Sequence, residues 1–183
     1  AAVLLASAGI SQAQIAVDVD INIGAITILY AFDDIDVNIP NTALAAILAG
    51  TATCATGTLS EECNLGDGGG PVNAAENAGN LEANFNINVP GVAPANNVNL
   101  VLQNVWAVRA IGGTTANTTV DVTVPGGTTI TNGTSSIGVN SATATPGTFT
   151  DPGLGTPQVG DVTLNLDFTN VDAAGNHDSG ADT

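Results

Sequence analysis

The sequence predicts an all-β fold, an Ig-like antiparallel β-sandwich with an alternating N-terminal strand and one short helix. Three observations carry this. In residues 14–23, Ile15, Val17, Val19, Ile21 and Ile23 fall at every second position, with Ala16, Asp18, Asp20 and Asn22 between them. Strict alternation of β-branched and polar residues marks a strand with one buried face. Apolar residues make up 44% of the 183 residues and aromatics 3%, so the apolar content is mostly Ala, Val, Ile and Leu. Val, Ile and Thr suit pleated, half-buried surfaces. Gly, Pro and Asn separate the apolar runs and supply turns.

The elements follow in chain order. After the first strand, Ile26, Ile28, Tyr30 and Phe32 alternate, with a phase shift at Gly24-Ala25 that predicts a bend or bulge. Ile35, Val37 and Ile39 alternate next and stop at Pro40. Residues 43–49 then read as a short helix, with Asn41-Thr42 as its N-cap and Gly50 at its C-terminus. Gly66–Pro71 is a turn. Phe85, Ile87 and Val89 alternate with Asn84, Asn86 and Asn88. Residues 98–111 are apolar on both faces, with Val98, Leu100, Leu102, Trp106 and Val108 on one and Val101, Val105 and Ile111 on the other. That is the mark of a central strand covered on both sides. Val120, Val122 and Val124 predict another strand. Ile130, Ile137 and Val139 mark weaker ones, and Val162, Leu164, Leu166 and Phe168 the last. The tail from Asp172 to Thr183 is polar and expected to be mobile. One domain is expected at this length.

Charge and cysteines bound the function. There are 17 acidic residues, no Lys and one Arg, Arg109, for a formal net charge of −16. Phosphate neutralisation needs cations, so no nucleic-acid partner is expected. Anionic membrane surfaces are disfavoured on the same ground, and no apolar run is long enough for a membrane span. A surface without lysine also offers trypsin-like proteases little to cut, which suits an extracellular protein. The net charge would keep subunits soluble. Cys54 and Cys63 close a short Gly-containing loop and are expected to form a disulfide. Too few Cys and His are present for a zinc site. Val3-Leu4-Leu5 followed by Ser11-Gln12-Ala13 resembles the end of a secretory signal peptide cut after Ala13. Residues 1–13 are either that remnant or part of the first strand.

No catalytic set emerges. A Ser or Cys nucleophile needs a base, and the sole His, His177, reads as a solvated tail residue. Asp178-Ser179-Gly180 lacks the second carboxylate and apolar flanks of an aspartic-protease site. Glu61-Glu62 and Asp33-Asp34 lack an aromatic sugar platform. No cofactor is expected. Calcium is the one metal the acids would suit: Asp18, Asp20 and Asn22 share a strand face, as do Asp34, Asp36 and Asn38, and pairing of those strands would bring the faces together. The alternative is two solvated faces. The tail acids Asp172, Asp178 and Asp182 are a weaker calcium set. Asn117-Thr118-Thr119 and Asn132-Gly133-Thr134 are glycosylation sequons.

The alternating Ile15–Ile23 segment, the β-rich chain after it, and Gly147-Thr148-Phe149-Thr150-Asp151 running toward Val162–Phe168 are similar to the subunits of donor-strand-assembled pili, loosely of the chaperone–usher type. The resemblance implies a structural subunit of an extracellular, cell-surface filament. Its partners would be copies of itself, with an assembly chaperone as a further partner. It implies a donor strand in which Ile15, Val17, Val19, Ile21 and Ile23 fill a neighbour's groove by β-augmentation. On this reading residues 1–24 are an N-terminal extension, 25–171 the sandwich and 172–183 the tail. The alternatives are a secreted monomeric binding module, adhesive or carbohydrate-binding, and a secreted hydrolase. The binding module would need an exposed ring or a Ca²⁺-bridged ligand site; Trp106 and Tyr30 are the ring candidates, and Trp106, in the most apolar strand, reads as core.

Overall fold

The computed structural model describes residues 20–32, 35–51, 54–55, 64–66, 84–88, 96–112, 117–124 and 129–179. Along it lie β1 (Ile26–Ala31), β2 (Asp36–Asn38), α1 (Asn41–Leu48), β3 (Cys54–Ala55), β4 (Asn64–Gly66), β5 (Asn84–Asn88) and β6 (Val98–Ile111). They are followed by β7 (Asn117–Thr119), β8 (Thr129–Asn132), β9 (Ser135–Thr145), β10 (Thr148–Thr150) and β11 (Gly153–Asp167). The fold is mostly β, as the sequence predicts, and among the described residues there is one short helix and every strand pairing is antiparallel. The described strands make one curled seven-stranded sheet and two two-stranded sheets.

β6 is the spine. One of its edges pairs with β11 from Ala110 to Val98. The other is shared: β5 takes Asn99–Gln103 and β1 takes Trp106–Ile111. Between those two partners the strand bulges. Asn104 adopts φ 57°, a left-handed conformation that Asn tolerates better than most residues. Its N–H donates to Asp161 Oδ1 at 3.0 Å, and the Asp161 carbonyl accepts the Trp106 Nε1–H at 3.1 Å. Opposite, β11 advances only from Gly160 to Val162 while β6 advances from Trp106 to Leu102. The bulge inserts an even number of residues, so Val98, Leu100 and Leu102 before it and Trp106, Val108 and Ala110 after it keep one phase and share one core. Val105, expected on the opposite face, is carried into that core as well.

The core occupies one face of the sheet. Phe85 and Ile87 of β5, Val139 and Ala144 of β9 and Leu166 of β11 complete it, with Phe168 just beyond. Ala43 and Ile47 of α1 close over it. Trp106 stacks on Phe149 of β10 with ring centroids 5.8 Å apart and planes at 19°. Burial of such side chains contributes about 1.5–3 kcal/mol each. On the opposite face, Tyr30 and Ala107 form a small second cluster with Ile28 and Val159. The alternating Ile28 and Tyr30 therefore serve the lesser face.

The helix starts two residues earlier than expected, at the residues read as its cap. Asn41 is its first residue, and Pro40 stands at the N-cap without a side-chain cap. Its C-terminus follows the expectation: Gly50, at φ 66°, lets its N–H reach the Ile47 carbonyl and the Thr51 N–H reach the Ala46 carbonyl. These two bonds form a Schellman motif.

The C-terminal half departs further from the sequence reading. Residues 120–124, expected as a strand, pair with no strand among the described residues, and the strand lies just before them at β7. Residues 153–158, which lie between the Gly147–Asp151 stretch and the Val162–Phe168 run, belong to β11, which bulges between Gly153 and Gln158. Arg109 donates from Nη1 to the Leu154 and Gly155 carbonyls across that bulge. On the face away from the core, Asn165 Nδ2 donates to Asn97 Oδ1 at 2.6 Å and Asn99 Oδ1 at 2.8 Å, while its Oδ1 accepts from Asn140 Nδ2 at 2.9 Å.

Candidate assembly site

Ile15, Val17 and Val19 lie outside the described residues. Ile21 and Ile23 are 80% and 67% exposed, and residues 20–25 form no strand. This run leads into β1, whose only strand partner among the described residues is β6. β1 itself exposes Ile26 and Leu29, the latter at 54%. Apolar side chains concentrated beside an open strand edge are the usual ingredients of a contact surface.

A second open edge lies on β9. β8 covers only Ser135–Gly138 of that strand, so the edge beyond Val139 is unpaired among the described residues. A groove of about 230 Å³ runs along it, lined by residues 119–122, 142–144, Gly147 and Thr148. Its walls include the small Ala142 and Ala144 on one side and Val120 and Val122 on the other.

Neither aromatic candidate offers an exposed ring. Trp106 is 3% exposed and Tyr30 5%. The Tyr30 hydroxyl is buried without a hydrogen-bond partner among the described residues.

His177 is not the solvated residue its sequence context suggests. Its Nε2 lies 2.9 Å from Ser135 Oγ, and Nδ1 lies 3.1 Å from the Gly175 carbonyl. With the proton on Nδ1, the ring donates to that carbonyl and accepts from the serine. Ser135 is fully buried, and its Oγ also accepts the N–H groups of Asp172 and Ala173 at 3.2 and 3.3 Å. A hydroxyl so engaged, with no exposed surface, has no access to a substrate. The pair is a clip that holds the tail against β8 and β9, reinforced by reciprocal backbone bonds between Thr131 and Asp178. Residues 171–178 are thus docked, against the expectation of a mobile tail. Ser135 sits in Ser/Thr/Asn-rich text, and nothing in the sequence singles it out.

The two acidic segments considered for calcium do not pair with each other among the described residues. Asp20 and Asn22 lie in the unpaired N-terminal run, and β2, which carries Asp36 and Asn38, pairs with β4. Asp18 and Asp34 lie outside the described residues, as does Asp182. Among the described residues no three His, Cys, Asp or Glu side chains are grouped to hold a metal. Asp167 Oδ1 accepts the Thr169 hydroxyl at 2.6 Å and the Thr169 N–H at 2.8 Å. Those bonds, the hydroxyl first, hold its carboxyl below the usual carboxylate range.

Cys54 is fully buried and disulfide-bonded. Cys63, its expected partner, lies outside the described residues. Of the sequon asparagines, Asn117 is exposed on β7. Asn132 Nδ2, by contrast, donates to the Ala174 carbonyl at 3.4 Å in the docked tail. No described helix is long and apolar enough to cross a membrane.

Compared with known proteins, the chain matches no family model, no curated protein and no solved structure.

Proposed function

We propose that this chain is a structural subunit of an extracellular filament, assembled by strand donation between copies. One observation carries the reading. The alternating apolar segment that begins at Ile15 ends in two isoleucines, Ile21 and Ile23, that stand 80% and 67% exposed outside the sheet. Leaving such side chains in water forfeits roughly 25 cal/mol per Å² of apolar area, and a neighbour's sheet would recover it. In this reading Ile15, Val17, Val19, Ile21 and Ile23 are the donor knobs. The core-covering β7–β10 and β2–β4 ribbons then serve as the second layer of an Ig-like sandwich. An assembly chaperone would shield the donor segment until polymerisation.

The test compares the full chain with a variant lacking residues 1–24, by size-exclusion chromatography and electron microscopy. The full chain is expected to form regular filaments, and the truncated chain to remain a folded monomer with an unchanged far-UV spectrum. Filaments from the truncated chain, or monomers from both, would overturn the proposal. Unfolding of the truncated chain would also overturn it, by showing that the segment is an internal strand.

A further inference from the structure

β7–β10 and β8–β9 are two ends of one hairpin. Thr119 pairs with Thr148 and Thr129 with Gly138, so ten residues separate the two pairs on each arm. The register is therefore the same at both ends, and Val120 N–H still reaches the Gly147 carbonyl at 2.9 Å. Yet residues 121–124 pair with no strand among the described residues, and the groove lies between the start of this arm and β9.

The faces explain the gap. β9 carries a bulge near Asn140, where Ser141 pairs with Asn165 and Val139 with Leu166. Before it the core-facing residues are Ile137 and Val139. After it Ala144 faces the core, and Ala142 shares its side of the strand. The hairpin register would set Val122 opposite Thr145 and Val124 opposite Thr143, both exposed. Val120 and Val122 instead pack on the core. A register off by one residue puts every side chain on the wrong face. The arm is tied at both ends and cannot slip to correct the mismatch.

A strand from another molecule is free to slip. The N-terminal segment reads Val17-Asp18-Val19-Asp20-Ile21, and the arm reads Val120-Asp121-Val122-Thr123-Val124. The first three residues are identical and the apolar alternation is the same throughout. The described chain begins at Asp20, in an exposed unpaired run, with 19 residues before it. We infer that the unpaired edge of β9 from Asn140 to Thr145 is the acceptor for the Val17–Ile21 segment of a second copy. The incoming strand displaces the Val120–Val124 arm and sets its β-branched side chains beside Ala142 and Ala144, whose small side chains leave room for them. Asp18 and Asp20 then lie on the outer face beside Thr143. This inference rests on the filament reading and adds to it the site and the displaced segment.

The test uses the full chain with Asp20→Cys and Thr143→Cys, both at exposed positions, treated with a short bismaleimide under conditions that keep the native disulfide oxidised. A parallel sample carries Asp20→Cys with Thr27→Cys on the open strand β1. Filaments whose Thr143→Cys form gives a ladder of cross-linked multimers, with only background from the Thr27→Cys form, are the expected result. Filaments that ladder through Thr27→Cys instead would overturn the β9 site while leaving strand donation intact. Cross-links confined within single chains would show self-complementation and overturn the second-copy occupant. The absence of any filament would overturn the filament reading itself.

Discussion

Gly160→Ala is the sharpest test of the core geometry. Gly160 is buried in β11, directly across from Trp106. A Cβ built there would lie only 2.6 Å from the Thr145 carbonyl oxygen, and closer still to Trp106 Cζ2 and Cε2. Neither neighbour yields easily. The carbonyl belongs to β9 backbone, and the indole is fixed by its bond to the Asp161 carbonyl and by stacking on Phe149. Overpacking a well-packed core costs about 1–3 kcal/mol. Losing the Trp106 hydrogen bond adds about 0.5–1.5 kcal/mol. The expected loss is therefore about 3 kcal/mol, equivalent to a fall of about 6–12 °C in Tm for a chain of this size. Urea unfolding followed by the fluorescence of the single tryptophan measures it directly. Gly155→Ala is the control, because a Cβ there meets nothing within 4 Å, and its change should stay within about 0.5 kcal/mol. Equal midpoints for the two variants would refute the argument that the indole and carbonyl leave no room.

Two further outcomes follow from the polar contacts. Ser135→Ala removes the acceptor of the Asp172 and Ala173 N–H groups and the partner of His177; it should cost about 1–3 kcal/mol and speed amide hydrogen exchange across residues 171–178, whereas unchanged exchange there would show that the tail is held by other means. Thr169→Val should raise the titration midpoint of Asp167, followed by NMR, because the hydroxyl bond that contributes most to lowering it is lost while the backbone bond remains. The sign is set by linkage: a carboxyl depressed in the folded state favours folding above the ordinary carboxylate value, and that contribution disappears as pH falls through the depressed one. A midpoint that does not move would refute the role given to Thr169.

Several elements were legible because periodicity and burial coincide. Residues 98–111 are apolar on both faces and form the central strand, and Trp106 is core as its setting implies. The Asn-interleaved 84–88 run and the Gly50 stop of the helix were readable for the same reason. What could not be read were the points where backbone phase breaks. Asn104 takes a left-handed φ that nothing around it announces, and it moves Val105 from one face to the other. The bulge near Asn140 puts β9 out of step with the Val120–Val124 run, so a flawless alternating pattern there is not a paired strand. The tail was misjudged because its anchor, Ser135, lies 42 residues before His177, and no local pattern links them. Of the candidate donor knobs, the structure describes only Ile21 and Ile23, and their alternation alone could not say that they stand outside the sheet.

The amide network on the sheet's outer face also bears on the medium this molecule tolerates. Asn97, Asn99, Asn140 and Asn165 tie β6, β11 and β9 together through neutral dipoles alone. Dissolved ions shorten the reach of charge–charge forces, to about 8 Å at 0.15 M and 3 Å at 1 M, but leave contacts between uncharged amides almost untouched. The −16 net charge makes repulsion between molecules vary widely from fresh water to brine, while the cross-strand fastening of this face stays constant. Cohesion within the sheet is thereby uncoupled from the salinity that governs how closely such molecules approach one another.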